Sequence, residues 1–175
     1  MSDVVDASGL SKGSVYFHFD SKTALAVAVL AARHDRWITG VTALIDEASG
    51  ARARLRALLP AMLKLHATDP DAWVIARLSQ SLTELDETRG TVRTLMSRWI
   101  ELVAGVIRDA RPGLEDVGID PVALATVVVG SFDGTKAIVE IIGSDRAGDL
   151  AAGGALLERM LFAALDLDRD EAGAR

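Results

Sequence analysis

The sequence predicts an all-α protein, a small N-terminal head joined by a long helix to a larger helical body. Three observations predict it. Apolar residues recur at i, i+3, i+4 along most of the chain, and no stretch shows the period-two alternation of a half-buried strand. Half of the residues are hydrophobic, with Ala, Leu and Val dominant and only 5% aromatic, a mixture that favours helix over sheet. The breaks between apolar stripes carry capping chemistry, twice as Asp-Pro at Asp69-Pro70 and Asp120-Pro121, a cap followed by the residue suited to a first helical position.

Taken in order, Val4, Val5 and Ala7 form the end of an apolar-faced helix that Gly9 breaks. Ser11 offers an N-cap oxygen to a short segment from Lys12 to Phe19, and Ser21 caps a much longer helix. Helix, Gly-containing turn and short helix is the outline of a helix-turn-helix, whose second helix enters the DNA major groove. The long helix covers residues 22–48, with Leu25, Val29, Ala32, Trp37, Val41, Leu44 and Ile45 as its apolar positions. At 1.5 Å per residue it spans about 40 Å, enough to leave the head and enter the body. Gly40 should soften it midway.

Residues 51–67 form the next helix, on a stripe of Leu55, Leu58, Leu59, Met62, Leu63 and His66. Pro60 falls inside that stripe and is expected to kink or split it. Asp69-Pro70 restarts the chain into a helix reaching Leu85, with Ile75, Leu78, Leu82 and Leu85 aligned. Residues 88–110 carry Val92, Leu95, Trp99, Val103, Val106 and Ile107 on one face, and residues 111–119 are an irregular loop. Residues 122–142 are apolar nearly all round and should be buried on more than one side. After a Gly-rich turn, residues 150–167 form the last helix, through Leu156, Leu157, Met160, Leu161, Ala164 and Leu165, before a frayed tail.

Several classes of function are excluded. Cysteine is absent, so neither disulfides nor thiolate metal sites are available. No basic region precedes an apolar run at the N-terminus, and the most apolar helix contains Asp133, Lys136 and Glu140, which argues against a membrane span. A cytoplasmic protein without membrane partners is expected. His18, His34 and His66 lack metal-ligand spacing, and no Ser/His/Asp arrangement can be assembled. Neither an enzyme nor a cofactor is expected. Gly130 to Lys136 lacks the spacing of a phosphate loop; Gly130 and Gly134, four apart, instead make a smooth helix face for close packing. Net charge is −6. Residues 1–40 balance Lys12, Lys22, Arg33 and Arg36 against Asp3, Asp6, Asp20 and Asp35, so the body carries the whole excess.

The wording of the head is specific. Ala7-Ser8-Gly9-Leu10-Ser11-Lys12-Gly13-Ser14-Val15-Tyr16-Phe17-His18-Phe19, followed by Ser21, Lys22 and Leu25, closely resembles the DNA-binding signature of the tetracycline-repressor (TetR) family. Tyr16-Phe17-His18-Phe19 is most similar to the branch containing the γ-butyrolactone autoregulator receptors. The resemblance implies two domains: residues 1–45, a helix-turn-helix DNA-binding domain with its connecting helix, and residues 46–175, a ligand-binding and dimerisation domain. It also implies a complete helix ahead of the motif. Met1 falls inside the motif's first helix, so the head is expected to be truncated, and the intact recognition segment favours a start further upstream.

By the same resemblance Ser11, Lys12, Gly13, Ser14, Tyr16, Phe17, His18 and Lys22 meet DNA, while Val15 and Phe19 form the small core of the head. The butyrolactone-receptor branch carries a tryptophan over its ligand cavity near the position of Trp99. Helix faces group Met62, Trp73, Leu78, Met96, Val103 and Phe132 with it as candidate ligand contacts. The last two long helices should pair two copies, through Val127, Gly130, Gly134, Ile138, Leu157, Met160 and Leu161. The expected function is a homodimeric repressor of palindromic operator DNA, released by a small, mainly apolar effector such as a γ-butyrolactone-type signal. The alternative is a truncated pseudo-repressor, unable to bind DNA, that binds a small molecule or pairs with a full-length relative.

Overall fold

The computed structural model describes residues 7, 9, 11–69, 72–143 and 146–166. They form seven α-helices and one 3-10 turn, with no strand among the described residues. Val4, Val5, Pro70 and the tail beyond residue 166 lie outside them. The helices are α1 (Lys12–His18), α2 (Lys22–Asp46), α3 (Ala51–Thr68), α4 (Ala72–Thr83), α5 (Asp86–Ala110), α6 (Pro121–Ile142) and α7 (Arg146–Ala164). The 3-10 turn, Glu115–Val117, lies within the loop joining α5 to α6.

Capping chemistry sets the boundaries. The Ser11 hydroxyl accepts from the Ser14 N–H at 3.1 Å, and the Ser21 hydroxyl from the Ala24 N–H at 2.9 Å, each satisfying a free donor of a first turn. Asp120 does the same for the Val122 N–H at 2.9 Å, with Pro121 at the first helical position. Gly143, at φ +72°, closes α6 in the left-handed conformation that favours glycine.

Two cores share the body. The larger joins the second half of α2 to α3, α5, α6 and α7 through residues such as Val41, Leu58, Ile107, Phe132 and Leu161. The smaller gathers Leu30 of α2, Leu82 of α4, and Val92 and Leu95 of α5. Connecting helix α2 thus belongs to both, and it runs unbroken past Gly40, where a Cβ would come 3.0 Å from a Leu65 methyl. Two further glycines bring α7 in: a Cβ on Gly154 would lie 2.7 Å from a Leu63 methyl of α3, and one on Gly153 2.8 Å from the Thr135 methyl of α6. No residue larger than glycine fits either contact without displacing its neighbour.

The structure corrects several expectations. Pro60 lies inside an uninterrupted α3. It is exposed, as is Arg56 one turn before it, so the carbonyl deprived of its N–H partner faces water. The buried face of α2 runs through Leu30, His34, Val41 and Ile45, whereas Val29 and Ala32 face out. Helix α4 ends at Thr83 and leaves Leu85 exposed outside it, because α5 already begins at Asp86. There Thr88 folds its hydroxyl back onto the Leu82 carbonyl. Helix α6 is buried on one side only: Ala125, Val128, Phe132 and Val139 face the core, while Val127, Ile138, Ile141 and Ile142 are exposed. By length and composition alone α6 could cross a membrane, yet its Lys136 is buried within this body and ion-paired to Asp133.

Candidate functional site

The head presents its recognition segment outward. Val15 is buried and Phe19 half-buried, on the inner side of α1. Tyr16 is 44% and Phe17 84% exposed, and His18, Gly13 and Lys22 are exposed as well. The Phe17 and His18 rings meet edge to face at 5.3 Å. A Cβ on Gly13 would touch nothing nearer than the Ser11 hydroxyl at 3.9 Å, so no internal contact requires a glycine there. Ser14 is half-buried, and the Ser11 oxygen is engaged in capping. The side chain of Lys12 lies outside the description. Apart from that contact with His18 the Phe17 ring is open to solvent, which is what a surface that meets a partner looks like.

The second site lies at the seam of the two cores. A cavity of about 40 Å³ is enclosed by α2, α3, α4, α5 and α6. Met62, Met96, Trp99 and Phe132, four of the seven residues expected around a ligand, line it together. Trp99 stacks edge to face on Trp37 with ring centroids 6.0 Å apart, and it is buried. Leu78 packs instead against the smaller core, and Val103 is fully buried in the larger one; neither is in the cavity wall. The side chain of Trp73 lies outside the described residues.

Polar groups that helix faces did not reveal complete the wall: His34, Ser79, Asp133 and Lys136. His34 and Ser79 are 3% and 7% exposed. Both His34 ring nitrogens and the Ser79 hydroxyl lack a hydrogen-bond partner among the described residues. Lys136 is ion-paired with Asp133 at 3.0 Å, and its ammonium lies 5.5 Å from the centre of the Phe132 ring. Two surface grooves adjoin the cavity, and Ser79 and Met96 line all three spaces. One, of about 810 Å³, lies between α4 and α5; the other, of about 490 Å³, lies between α4 and α6. Among the described residues no cluster of His, Asp or Glu could hold a metal ion.

Burial holds both inner histidines neutral. It lowers the pKa of His34, with Arg98 adding to the effect against Asp133 and Asp35. His66, edge-on to Phe132 at 6.2 Å, is brought down to about 4 by burial and then by Lys136, with Asp69 opposing. Since an unfolded histidine takes up its proton near pH 6.5, acid favours the unfolded chain. Stability from His66 is therefore complete above pH 6.5 and lost as pH falls toward 4, by up to about 3 kcal/mol. Denaturant titrations at pH 7.5 and pH 4.5 should show this loss, and His66→Gln should flatten it. An equally steep fall in that variant would assign the effect to other groups.

An exposed capped helix after a glycine turn, set on a helical body with an internal cavity, is the arrangement that a helix-turn-helix head on a ligand-binding body would have. Residues 1–29 match the family model of the bacterial regulatory proteins of the tetR family. Most of the chain shares its fold with FadR of Bacillus subtilis, a transcriptional regulator solved in complex with stearoyl-CoA. The TM-score is 0.74 at 18% identity, over 93% of this chain and 87% of that one. The fatty acid degradation regulator FadR of Bacillus halodurans is similar too, with a TM-score of 0.70 at 15% identity, over 90% and 86%. Residues 1–29 thus carry the signature of that family, and most of the chain has the fold of these solved transcriptional regulators.

The surface of α6 and α7 departs in part from the interface expected in sequence. Val127, Ile138 and Met160 are exposed at 60%, 56% and 60%, and a Cβ on Gly130 or Gly134 would meet nothing within 4 Å. Leu161 is a correction: it is 3% exposed and belongs to the larger core. Leu157 is half-buried and packs against that core. Ile141, Ile142 and Leu156 are further exposed apolar residues of the same two helices, and for Leu156 this corrects the expectation that it lies on the packed stripe of the last helix.

Proposed function

We propose that this regulator is a cytoplasmic repressor that binds palindromic operator DNA as a homodimer and is released by a small, mainly apolar effector. The observation that carries the DNA half is the exposure of Tyr16, Phe17 and His18 on a capped helix. Ser14 and Lys22, which flank Tyr16, Phe17 and His18 in the chain, would meet phosphates, and such contacts fix register while ring and imidazole edges reach the bases. The exposed apolar stripe on α6, through Val127, Gly130, Gly134 and Ile138, supports pairing with a second copy. Its two glycines leave room for a partner helix.

The cavity supports the effector half. Its aromatic and thioether walls suit an apolar body. Its small volume admits one functional group of a small effector such as a γ-butyrolactone-type signal, and the adjoining groove of about 810 Å³ has room for the rest of the molecule.

The test begins with duplexes selected from a random pool, assayed at one fixed salt concentration because phosphate contacts make affinity steeply salt-dependent. Tyr16→Ala should weaken binding to the selected operator by roughly tenfold to a hundredfold, and Phe17→Ala, whose ring is 84% exposed, should do so with an unchanged melting temperature. Parent-like affinity in Tyr16→Ala and Phe17→Ala alike would remove α1 from the DNA interface.

A further inference from the structure

We propose that the effector carries an uncharged, oxygen-bearing polar group, a carbonyl or hydroxyl on an apolar body, and that His34 and Ser79 hold that group. This rests on the effector-binding role given above and adds the chemistry of the ligand's polar end. Two side chains more than nine-tenths buried, from α2 and α4, place three hydrogen-bonding atoms at one small cavity without protein partners among the described residues. A buried polar atom left unmatched is destabilising, so native proteins match nearly all of them. The rest of the wall offers His34 and Ser79 mainly rings and thioethers: Trp37, Trp99, Phe132, Met62 and Met96. A ligand group able to meet them removes the penalty.

Charge decides between a neutral and an ionised group. Lys136 is the one permanent cation in the described wall, and Asp133 at 3.0 Å already balances it. The burial that keeps His34 neutral also removes it as a counter-ion. A carboxylate would enter a site with no uncompensated positive charge and with Asp133 beside it, a costly burial. A neutral imidazole instead offers one donor and one acceptor, and the serine hydroxyl can give or receive. That set fits a carbonyl or hydroxyl.

The geometry also orients the ligand. About 40 Å³ admits a functional group and little more. Ser79 and Met96 border both this cavity and the groove of about 810 Å³ between α4 and α5, where Val92 and Ile100 supply apolar surface. The polar group therefore goes in first, and the apolar body trails past Met96 into that groove.

The test uses three probes of one chain length, 1-octanol, 2-octanone and octanoate, titrated at pH 7.5 and followed by tryptophan emission. The parent, Ser79→Ala and His34→Leu are compared, and the melting temperature of each is measured without probe. In the parent the alcohol or ketone should bind at least about tenfold tighter than octanoate. Ser79→Ala should weaken the neutral probes by roughly tenfold, while melting no lower than the parent because an unmatched hydroxyl has been removed. His34→Leu should act in the same direction; where it does not fold, Ser79→Ala alone decides.

Tightest binding by octanoate, or neutral-probe affinity unchanged in Ser79→Ala, overturns the proposal while leaving the cavity as the effector site. Binding of none of the three to the parent removes the effector site itself, and the proposal with it.

Discussion

Replacing Trp99 with Ala should lower the unfolding free energy by about 3–5 kcal/mol, the largest stability change expected of any side chain around the cavity. Trp99 is 4% exposed, stacks on Trp37 and belongs to the larger core. Its truncation leaves a void continuous with the existing cavity, and the walls can close on it only in part. In a chain of this size about 2–4 °C accompanies each kcal/mol, so the melting temperature should fall by roughly ten degrees. Trp99→Phe keeps a ring in place and should cost much less. That milder variant separates packing from recognition: a contact with the effector predicts weaker probe binding and a smaller emission change, with operator affinity preserved. Parent-like binding and emission in Trp99→Phe would leave Trp99 a core residue only.

Charging the outer stripe of α6 should have the largest effect on assembly. Val127→Asp combined with Ile138→Asp places two carboxylates on a face that is exposed in the single chain, so the fold itself should survive nearly unchanged. In a dimer the same carboxylates would be buried without partners, which costs several kcal/mol for each ion. Sedimentation should then show monomers at concentrations where the parent is dimeric. Operator affinity should drop by at least about a hundredfold, because two linked heads gain an effective concentration that a lone head lacks. A dimer undisturbed by both charges would place the interface on another face.

What was legible in the sequence was local. Ser11, Ser21 and Asp120 act within three residues of themselves, so their caps could be read directly. The outward rings of α1 came from the wording of a motif, and their exposure follows from Val15 and Phe19 occupying the inner side. The cavity was half legible. Met62, Met96, Trp99 and Phe132 are large apolar residues on strong stripes, and stripes converge in a helical body. Its polar members were not legible, since His34 and Ser79 acquire meaning only where α2 meets α4. On its own helix His34 is simply four residues after Leu30.

Helix phase was the other weak point. A face one residue out turned Val29 and Ala32 outward and Leu161 inward. Gly153 and Gly154 passed without notice because a tight contact shows only when Leu63 and Thr135 are in place. At the conspicuous glycines, Gly130 and Gly134, a Cβ would meet nothing within 4 Å among the described residues.

The unbroken course of α2 has a mechanical consequence. His34 touches the cavity twelve residues after Lys22, where the helix begins beside the recognition segment, so about 18 Å of rigid rod separates them. Pivoting that rod by about 10° at the cavity swings its far end by roughly 3 Å, close to the ~3.4 Å spacing of successive base pairs. Leu30, Ala26 and Val27 lie along the moving arm, so the smaller core turns with it while the far end travels about a full step of the double helix. In a symmetric pair the two swings add. Under the function proposed above, moving a pair of heads out of register would need no large rearrangement, only a stiff arm and a fulcrum.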